Sequence, residues 1–353
     1  LHEFRARLGE AGDSLEREVI RYADLVAATC LSCGTSPLLA HEEFDLAIVD
    51  EAGQVSVPNL LVAAVKARRM VLVGDHKQLP PFLDEDVRRW ANQRAREQEV
   101  PDEETAEIRN MLDKSAFERL YDIVDEEHRD MLKLQRRMPM ALSEFVSEAF
   151  YGGRLRCDHT DRDADPLFRS RLALIDTGDR PPAERGEGSA DDAEAWSGVG
   201  AVNLLEARLI AELVARYMRW QADWGVIVPY RAQVELVRRM VADRVGGAAR
   251  AAESINTVDA FQGGERDFMV YGFTRSNEAG DVGFLSELRR LNVALTRARQ
   301  QLVLVGDASM LLQARDRGFA SLMAALKRHL TKSGEVLPSR EFEARLRDSA
   351  AQP

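Results

Sequence analysis

Leu46-Ala-Ile-Val-Asp50-Glu51-Ala-Gly-Gln54 is an apolar run that ends in two adjacent carboxylates. A second run, Met70-Val-Leu-Val73, ends in Gly74-Asp75-His-Lys-Gln78-Leu-Pro80-Pro81. Short apolar stretches closed by polar turn residues read as buried strands of a parallel sheet. Side chains at the carboxyl ends of such strands face the ligand crevice of an open α/β sheet. An NTPase places its magnesium ligand and its water-orienting acid there, and Asp50 with Glu51 offers both; a polar strand-to-loop turn offers the same residue types. Gly74 lets the backbone turn sharply and the diproline stops any helix. Gln78 is then placed to report on a phosphate held by the neighbouring strand, although a plain β-turn uses the same residues.

Outward from this pair the pattern recurs in Val226-Ile-Val228, Phe268-Met-Val-Tyr271 and Leu302-Val-Leu-Val305, each between helical stretches. Asn203 followed by Glu206 fits a capping box, after which Leu205, Leu209, Leu213 and Tyr217 mark one face of a helix. Alternating strands and helices predict α/β layers with helices on both faces of the sheet, and 353 residues suffice for two cores. The expected division is a first domain over 1–132, with a charged, solvated helical insertion at 82–110, and a second over 133–332. A long loop is expected over 157–200, where Pro181-Pro182 and Gly186-Glu-Gly188 fall, and a fraying polar tail over 333–353. No internal repeat at solenoid spacing is present.

Acidic residues number 59 against 48 basic ones, a net charge of -11, so a globally basic nucleic-acid-binding surface is excluded and any such binding needs a local groove. Only six of the cations are lysine, a bias that fits genome composition better than selected chemistry. Cys30, Cys33 and Cys157 cannot form a disulfide framework. Cys30-Leu-Ser-Cys33 has zinc-knuckle spacing but lacks a second pair to complete four ligands, which favours a buried structural pair. Neither a cleavable signal pattern nor an apolar run of membrane length occurs, so the expected location is the cytoplasm, away from membranes.

In the second half, Thr257-Val-Asp259-Ala-Phe-Gln262-Gly263-Gly264-Glu265 sets paired glycines beside polar groups, which suits a backbone that approaches a ligand. Arg290-Leu-Asn292-Val-Ala-Leu-Thr296-Arg297-Ala-Arg299 then runs as a helix into the strand at Leu302–Val305. Arginines so placed are commonly solvated or paired with carboxylates. The sharper alternative is a guanidinium aimed at a γ-phosphate.

Taken in order from about Tyr22 to Asp307, these segments resemble the superfamily 1 helicases of the branch typified by the nonsense-mediated-decay helicase. The resemblance implies an α/β fold of two RecA-like parallel-sheet domains, the first incomplete at its N-terminus. It also implies ATP and Mg2+ as cofactors in an interdomain cleft, and 5′ to 3′ movement along single-stranded DNA or RNA. By that resemblance Asp50 holds the magnesium, Glu51 activates water, and Gln54 belongs to the same motif. Gln78 senses the γ-phosphate. Leu134-Gln135-Arg136-Arg137-Met138 is similar to the interdomain motif, in which Arg137 contacts the γ-phosphate and Arg136 stands at the position that stacks on adenine. Gly263 and Glu265 fall in the ribose-holding segment, and Arg297 in the arginine-finger position. Ala23-Asp-Leu-Val-Ala-Ala-Thr29-Cys is similar to a strand and loop that touch nucleic acid. Val228-Pro229-Tyr230-Arg-Ala-Gln233 is similar to a second such loop, which makes Thr29, Pro229, Tyr230 and Gln233 strand-contacting candidates.

The sequence departs from the family pattern in two places. Arg136 stands where the family usually has tyrosine; a guanidinium also stacks, so the change bears on base preference. None of the six lysines follows a glycine, so the Gly-Lys-Ser/Thr that cradles phosphates is absent from these 353 residues. Its expected source is an upstream segment or a separate chain, and these residues by themselves are expected not to turn over ATP. An inactive nucleic-acid-binding scaffold is the alternative, and the motor part of a system with a separate nuclease partner is a third reading.

Overall fold

A computed structural model of the chain describes residues 15–81, 89, 93, 114–162, 164–189, 200–245, 253–261 and 263–350. The chain divides into two units, Leu1–Asp130 and Met131–Pro353.

In the first unit a short helix α1 (Cys30–Thr35) precedes strand β1 (Phe44–Val49), helix α2 (Val57–Ala64), strand β2 (Ala67–Leu72) and helix α3 (Ala116–Ile123). Strands β1 and β2 pair in parallel, with Phe44 opposite Ala67 and Val49 opposite Leu72, a βαβ pattern in which α2 is the connection. Val49, Ala52, Leu60, Ala63 and Ala116 form its core. Leu46, Ile48, Val71 and Val73 remain exposed, although strands of this composition are ordinarily covered on both faces. The stretch Ala23–Ala28, expected to be a strand, forms none; β1 pairs only with β2 among the described residues, and a strand without a ladder neighbour leaves its backbone groups unpaired. The charged insertion expected over 82–110 lies outside the described residues except at Arg89 and Gln93.

The second unit is built on a six-stranded parallel sheet. Its members are β3 (Leu172–Asp176), β4 (Trp224–Ile227), β5 (Ile255–Asn256), β6 (Arg266–Gly272), β7 (Ala298–Gly306) and β8 (Glu335–Pro338), in spatial order β8-β3-β7-β6-β4-β5. Helices α4 (Met140–Tyr151), α5 (Leu204–Arg219), α6 (Arg231–Val245), α7 (Leu288–Leu295), α8 (Arg317–Ser333) and α9 (Ser339–Ala350) complete it. The apolar face of α5 packs Leu205, Leu209, Leu213 and Tyr217 into a core shared with Val226, Val270 and Val303 of the sheet. This unit is α/β with every strand of the six-stranded sheet parallel, as the alternating pattern predicts, and a short antiparallel pair, Gly188–Ser189 with Ala201–Val202, lies outside that sheet.

Two expectations fail here. The stretch 157–200 is no continuous loop, because Leu172-Ala-Leu-Ile175 forms β3, hydrogen-bonded between β7 and β8. Nor does the chain fray after residue 332. Glu335–Pro338 becomes the edge strand β8, and α9 buries Phe342 completely. Its polar groups are satisfied in place: Glu335 accepts from Arg345 Nη1 at 2.8 Å and from the Arg169 backbone N–H at 2.7 Å. Among the described residues no helix is long and apolar enough to cross a membrane.

The capping residue of α5 is as expected, since the Asn203 side chain accepts from the Glu206 backbone N–H at 3.0 Å. The reciprocal half of the capping box is absent. Glu206 turns inward instead and accepts from the Thr274 N–H at 2.7 Å, holding that residue at a positive φ of 69°. Burial pushes the Glu206 carboxyl well above the usual carboxylate range, with Asp307 and Glu187 adding to the effect against the Thr274 hydrogen bond.

Candidate nucleotide and nucleic-acid sites

In the first unit the acidic pair sits where β1 ends. Glu51 adopts a left-handed conformation (φ 51°), its N–H donates to Asp50 Oδ1 at 2.9 Å, and Gln54 Nε2 donates to Glu51 Oε2 at 2.9 Å. Asp50 and Glu51 are exposed at their carboxylates' end of the strand. The loop after β2 lies against this turn: Ala52 N–H donates to the Val73 carbonyl at 2.8 Å, and Gln78 Nε2 to Asp75 Oδ2 at 2.9 Å. Glycine makes this contact feasible. A Cβ on Gly74 would stand 2.7 Å from Gly53 N, and one on Gly53 would stand 2.9 Å from Asp75 O. The two segments singled out in the sequence are therefore adjacent, with Asp50, Glu51 and Gln78 on neighbouring loops. Beside them His76 stacks on Tyr121 at 4.6 Å, and its pKa is lowered by burial and by Lys77.

Thr29 caps α1, its Oγ1 accepting from Ser32 N–H at 3.1 Å, and it is exposed. Cys30 and Cys33 are free and half-buried rather than fully buried. Burial and the neighbouring Cys33 raise the Cys30 thiol pKa.

In the second unit four charged residues meet at the N-terminal ends of β6 and β7. Arg137 Nε lies 2.6 Å from Glu265 Oε2, and Arg137 Nη1 reaches the Thr296 carbonyl at 3.4 Å. Arg297, 4% exposed, donates from Nε to the Val293 carbonyl at 2.9 Å and from Nη2 to Thr296 Oγ1 at 3.4 Å. Both guanidinium groups thus converge on Thr296. Arg299, to which no role was assigned in the sequence, spans three carboxylates: Asp267 at 2.9 Å, Asp223 at 2.7 Å and Glu265 at 3.4 Å. Burial works against its charge, but the Asp267 hydrogen bond and the surrounding carboxylates outweigh it and raise the pKa. Arg299 is a positioning residue for Glu265; its place two residues after Arg297 was the one available signal.

Gly263 has a φ of 79° and open space on its Cβ side, as a backbone facing a ligand requires. Gln262 lies outside the described residues. Arg136 is exposed and pairs with Asp158 at 2.9 Å.

The proposed strand-contacting loop is arranged differently from expectation. Gln233 is 0% exposed, its Oε1 accepting from the Asn203 N–H at 2.8 Å and its Nε2 donating to the Asn203 carbonyl at 3.1 Å. An amide committed at both ends to buried backbone has nothing left for a nucleic acid, so Gln233 is a structural residue. Tyr230 is 5% exposed and its hydroxyl accepts from Arg275 Nη1 at 3.0 Å, while Pro229 is half-buried. The ring of Tyr230 is not available for stacking on a base.

Sequence comparison identifies the family. An AAA domain profile matches residues 112–309, more than half of the chain, and a second AAA domain profile matches residues 1–85. An uncharacterised ATP-dependent helicase of Methanocaldococcus jannaschii is 31% identical over 311 residues, covering 87% of this chain and 42% of the relative. A regulator of nonsense transcripts 1 homolog of Neurospora crassa is 33% identical over 302 residues (84% and 25%). The DNA replication ATP-dependent helicase/nuclease DNA2 of Mus musculus is 32% identical over 346 residues (91% and 30%). The chain spans less than half the length of each. With the motif order from Asp50 to Arg297, these matches place the chain in the AAA-domain helicases of superfamily 1, in the group of the nonsense-mediated-decay helicase.

Proposed function

We propose that this chain carries the hydrolytic acids and arginines of an ATP-dependent translocase or helicase that moves 5′ to 3′ along single-stranded DNA or RNA. The observation that supports it best is that Arg137, paired with Glu265, and the neighbouring Arg297 both hydrogen-bond to Thr296 at one end of a parallel sheet, while Arg299 holds Glu265. Two guanidinium groups anchored on one residue suit a transferring phosphoryl group, whose charge spreads over its equatorial oxygens.

The residues present fit ATP with magnesium. Asp50 presents an exposed hard-oxygen donor at a strand end, the type Mg2+ takes alongside substrate phosphates and water. When bound, ATP supplies the phosphoanhydride bond and magnesium neutralises its developing charge. Glu51, steadied by Gln54, takes the proton from the attacking water, and Gln78 senses the phosphate. With ATP bound, Arg137 and Arg297 would be the residues to hold phosphate oxygens, and Glu265, held by Arg299, the one to hold the ribose. The phosphate cradle comes from sequence outside these 353 residues or from another chain, and without it these residues do not turn over ATP.

Thr29 and Pro229 are the strand-contacting residues of this reading, each within its own unit. A nuclease partner is a further proposal, suggested by the name of the mouse relative. Among the described residues one group of three, the exposed Asp125, Glu127 and His128, has metal-ligand spacing. A nucleic-acid-binding module without turnover is the second reading, favoured by Arg136 in the adenine position.

The test is binding of a single-stranded oligonucleotide across a salt series. Counterion release makes log K fall linearly with log salt. Tight binding without that slope, or no binding by the complete protein, would sink the proposal.

A further inference from the structure

Tyr230 stands where the family resemblance puts a strand-contacting residue, yet its ring is buried. What covers it points to the residue that replaces it. The Phe284 ring lies 5.6 Å from the Tyr230 ring and is itself 59% exposed.

An isolated exposed phenylalanine is ordinary on a protein surface. Phe284 differs in how it is held. It sits in a 3₁₀ turn, Gly283–Ser286, whose flanking side chains Val282 and Leu285 are both buried, so the backbone on each side is anchored while the ring projects. Leu285 N–H donates to the Val282 carbonyl at 3.0 Å, and Ser286 Oγ to the Gly283 carbonyl at 2.8 Å. Gly283 has a φ of 50°, a conformation that favours glycine, and a Cβ there would stand 2.6 Å from both Tyr230 Oη and Arg275 Nη1, so the turn lies close against Tyr230.

Arg290 completes the arrangement. Its guanidinium carbon lies 5.8 Å from the Phe284 ring centroid, its Nη2 reaches Asp259 only at 3.5 Å, and its buried Nε has no hydrogen-bond partner. A partly exposed guanidinium beside an exposed, rigid aromatic ring combines a stacking surface for a base with a cation for a phosphate. The nearby Asp281 carboxylate is committed to Arg275 at 3.0 Å, and Glu287 caps the Arg289 N–H at 3.4 Å.

We propose that Phe284 is a base-stacking platform for single-stranded nucleic acid, with Tyr230 as its buried buttress and Arg290 holding an adjacent phosphate. The inference rests on the single-strand reading above and assigns the contact to residues that reading had not named.

The experiment measures affinity for a fluorescent oligothymidylate and for a strand of equal length with abasic sites in place of its central bases, in the complete protein. Binding by the parent comes first: if it binds neither strand, the single-strand reading falls and this inference with it. Given binding, Phe284→Ala should weaken the oligothymidylate on the order of tenfold, the scale of one lost base stack, and leave the abasic strand unchanged. Phe284→Trp should restore affinity to within about twofold, since the indole offers a larger π-face. Arg290→Gln should reduce the salt slope by about one. An unchanged thermal midpoint in Phe284→Ala, expected for an exposed ring, shows that the loss is not one of folding. Equal weakening of both strands, or parental affinity in Phe284→Ala, would overturn the assignment while leaving the single-strand reading intact.

Discussion

Arg137 and Glu265 form a 2.6 Å ion pair, in which the arginine expected to contact a γ-phosphate is held by the glutamate expected to hold a ribose. Each residue neutralises the charge of the other. Glu265 has a second contact to Arg299 at 3.4 Å, so its position does not depend on Arg137 alone.

Arg299→Ala should therefore act on nucleotide affinity more than on turnover. Removing the cation that spans Asp223, Glu265 and Asp267 leaves three carboxylates without their common partner and frees Glu265 to move. In the complete protein the expected result is a KM for ATP raised about tenfold with kcat within about twofold of the parent, the pattern of lost uniform binding. The site is partly exposed, so the stability loss should not exceed about 1 kcal/mol. Steady-state kinetics with a thermal melt checks both.

The glycines between the acidic turn and the Gln78 loop make a structural prediction. Gly74→Ala places a methyl 2.7 Å from Gly53 N, and Gly53→Ala places one 2.9 Å from Asp75 O. Backbone cannot yield as a side-chain tip does, so each change should destabilise the first unit by about 1–3 kcal/mol. Each should also depress ATPase, because the two loops can no longer lie together. Denaturant unfolding beside an activity assay tests this.

How far the fold was legible depended on burial and on neighbours. Leu46–Val49 and Leu302–Val305 could be read directly because parallel strands are continuous apolar runs. Leu172-Ala-Leu-Ile175 is such a run too, but its setting between charged residues and a diproline segment read as loop. Strand β8 carries Glu335 and ends at Pro338, which a central strand would not tolerate; an edge strand does, and edge position is a tertiary property. Among site residues, Asp50, Glu51 and Gln78 lie on adjacent loops because each ends a strand of one βαβ unit. Gln233 was misread because no linear signal shows that an amide on α6 faces the Asn203 backbone.

Gln233→Ala offers a direct contrast with a strand-contacting role. Losing the amide strands the Asn203 N–H in a buried site, although its carbonyl keeps the Ala207 N–H, and this should cost about 1–3 kcal/mol. Below the melting transition, single-strand affinity should equal that of the parent. A selective loss of affinity without loss of stability would return Gln233 to the nucleic-acid site.

Glu206 predicts a pH dependence. Its folded pKa is raised, so between its ordinary value and the folded one the native state binds more protons than the unfolded state, and stability falls as pH rises through that window. Glu206→Gln keeps an acceptor for the Thr274 N–H and cannot ionise. The melting temperature of the variant relative to the parent should climb from pH 5 to pH 8; a difference that is flat or falls with pH would contradict this.

The central claim is that Glu51 and Arg297 serve one hydrolytic reaction, and nucleic-acid-stimulated ATPase measured beside nucleotide binding tests it most directly. In the complete protein, Glu51→Gln keeps the side chain's shape but removes the base, so ATP should still bind while hydrolysis collapses. Arg297→Ala should lower turnover by roughly 10³-fold, the scale of a lost arginine finger, with single-strand affinity unchanged in both variants. Hydrolysis at the parent rate in both would contradict the account and leave a binding module in place of a motor.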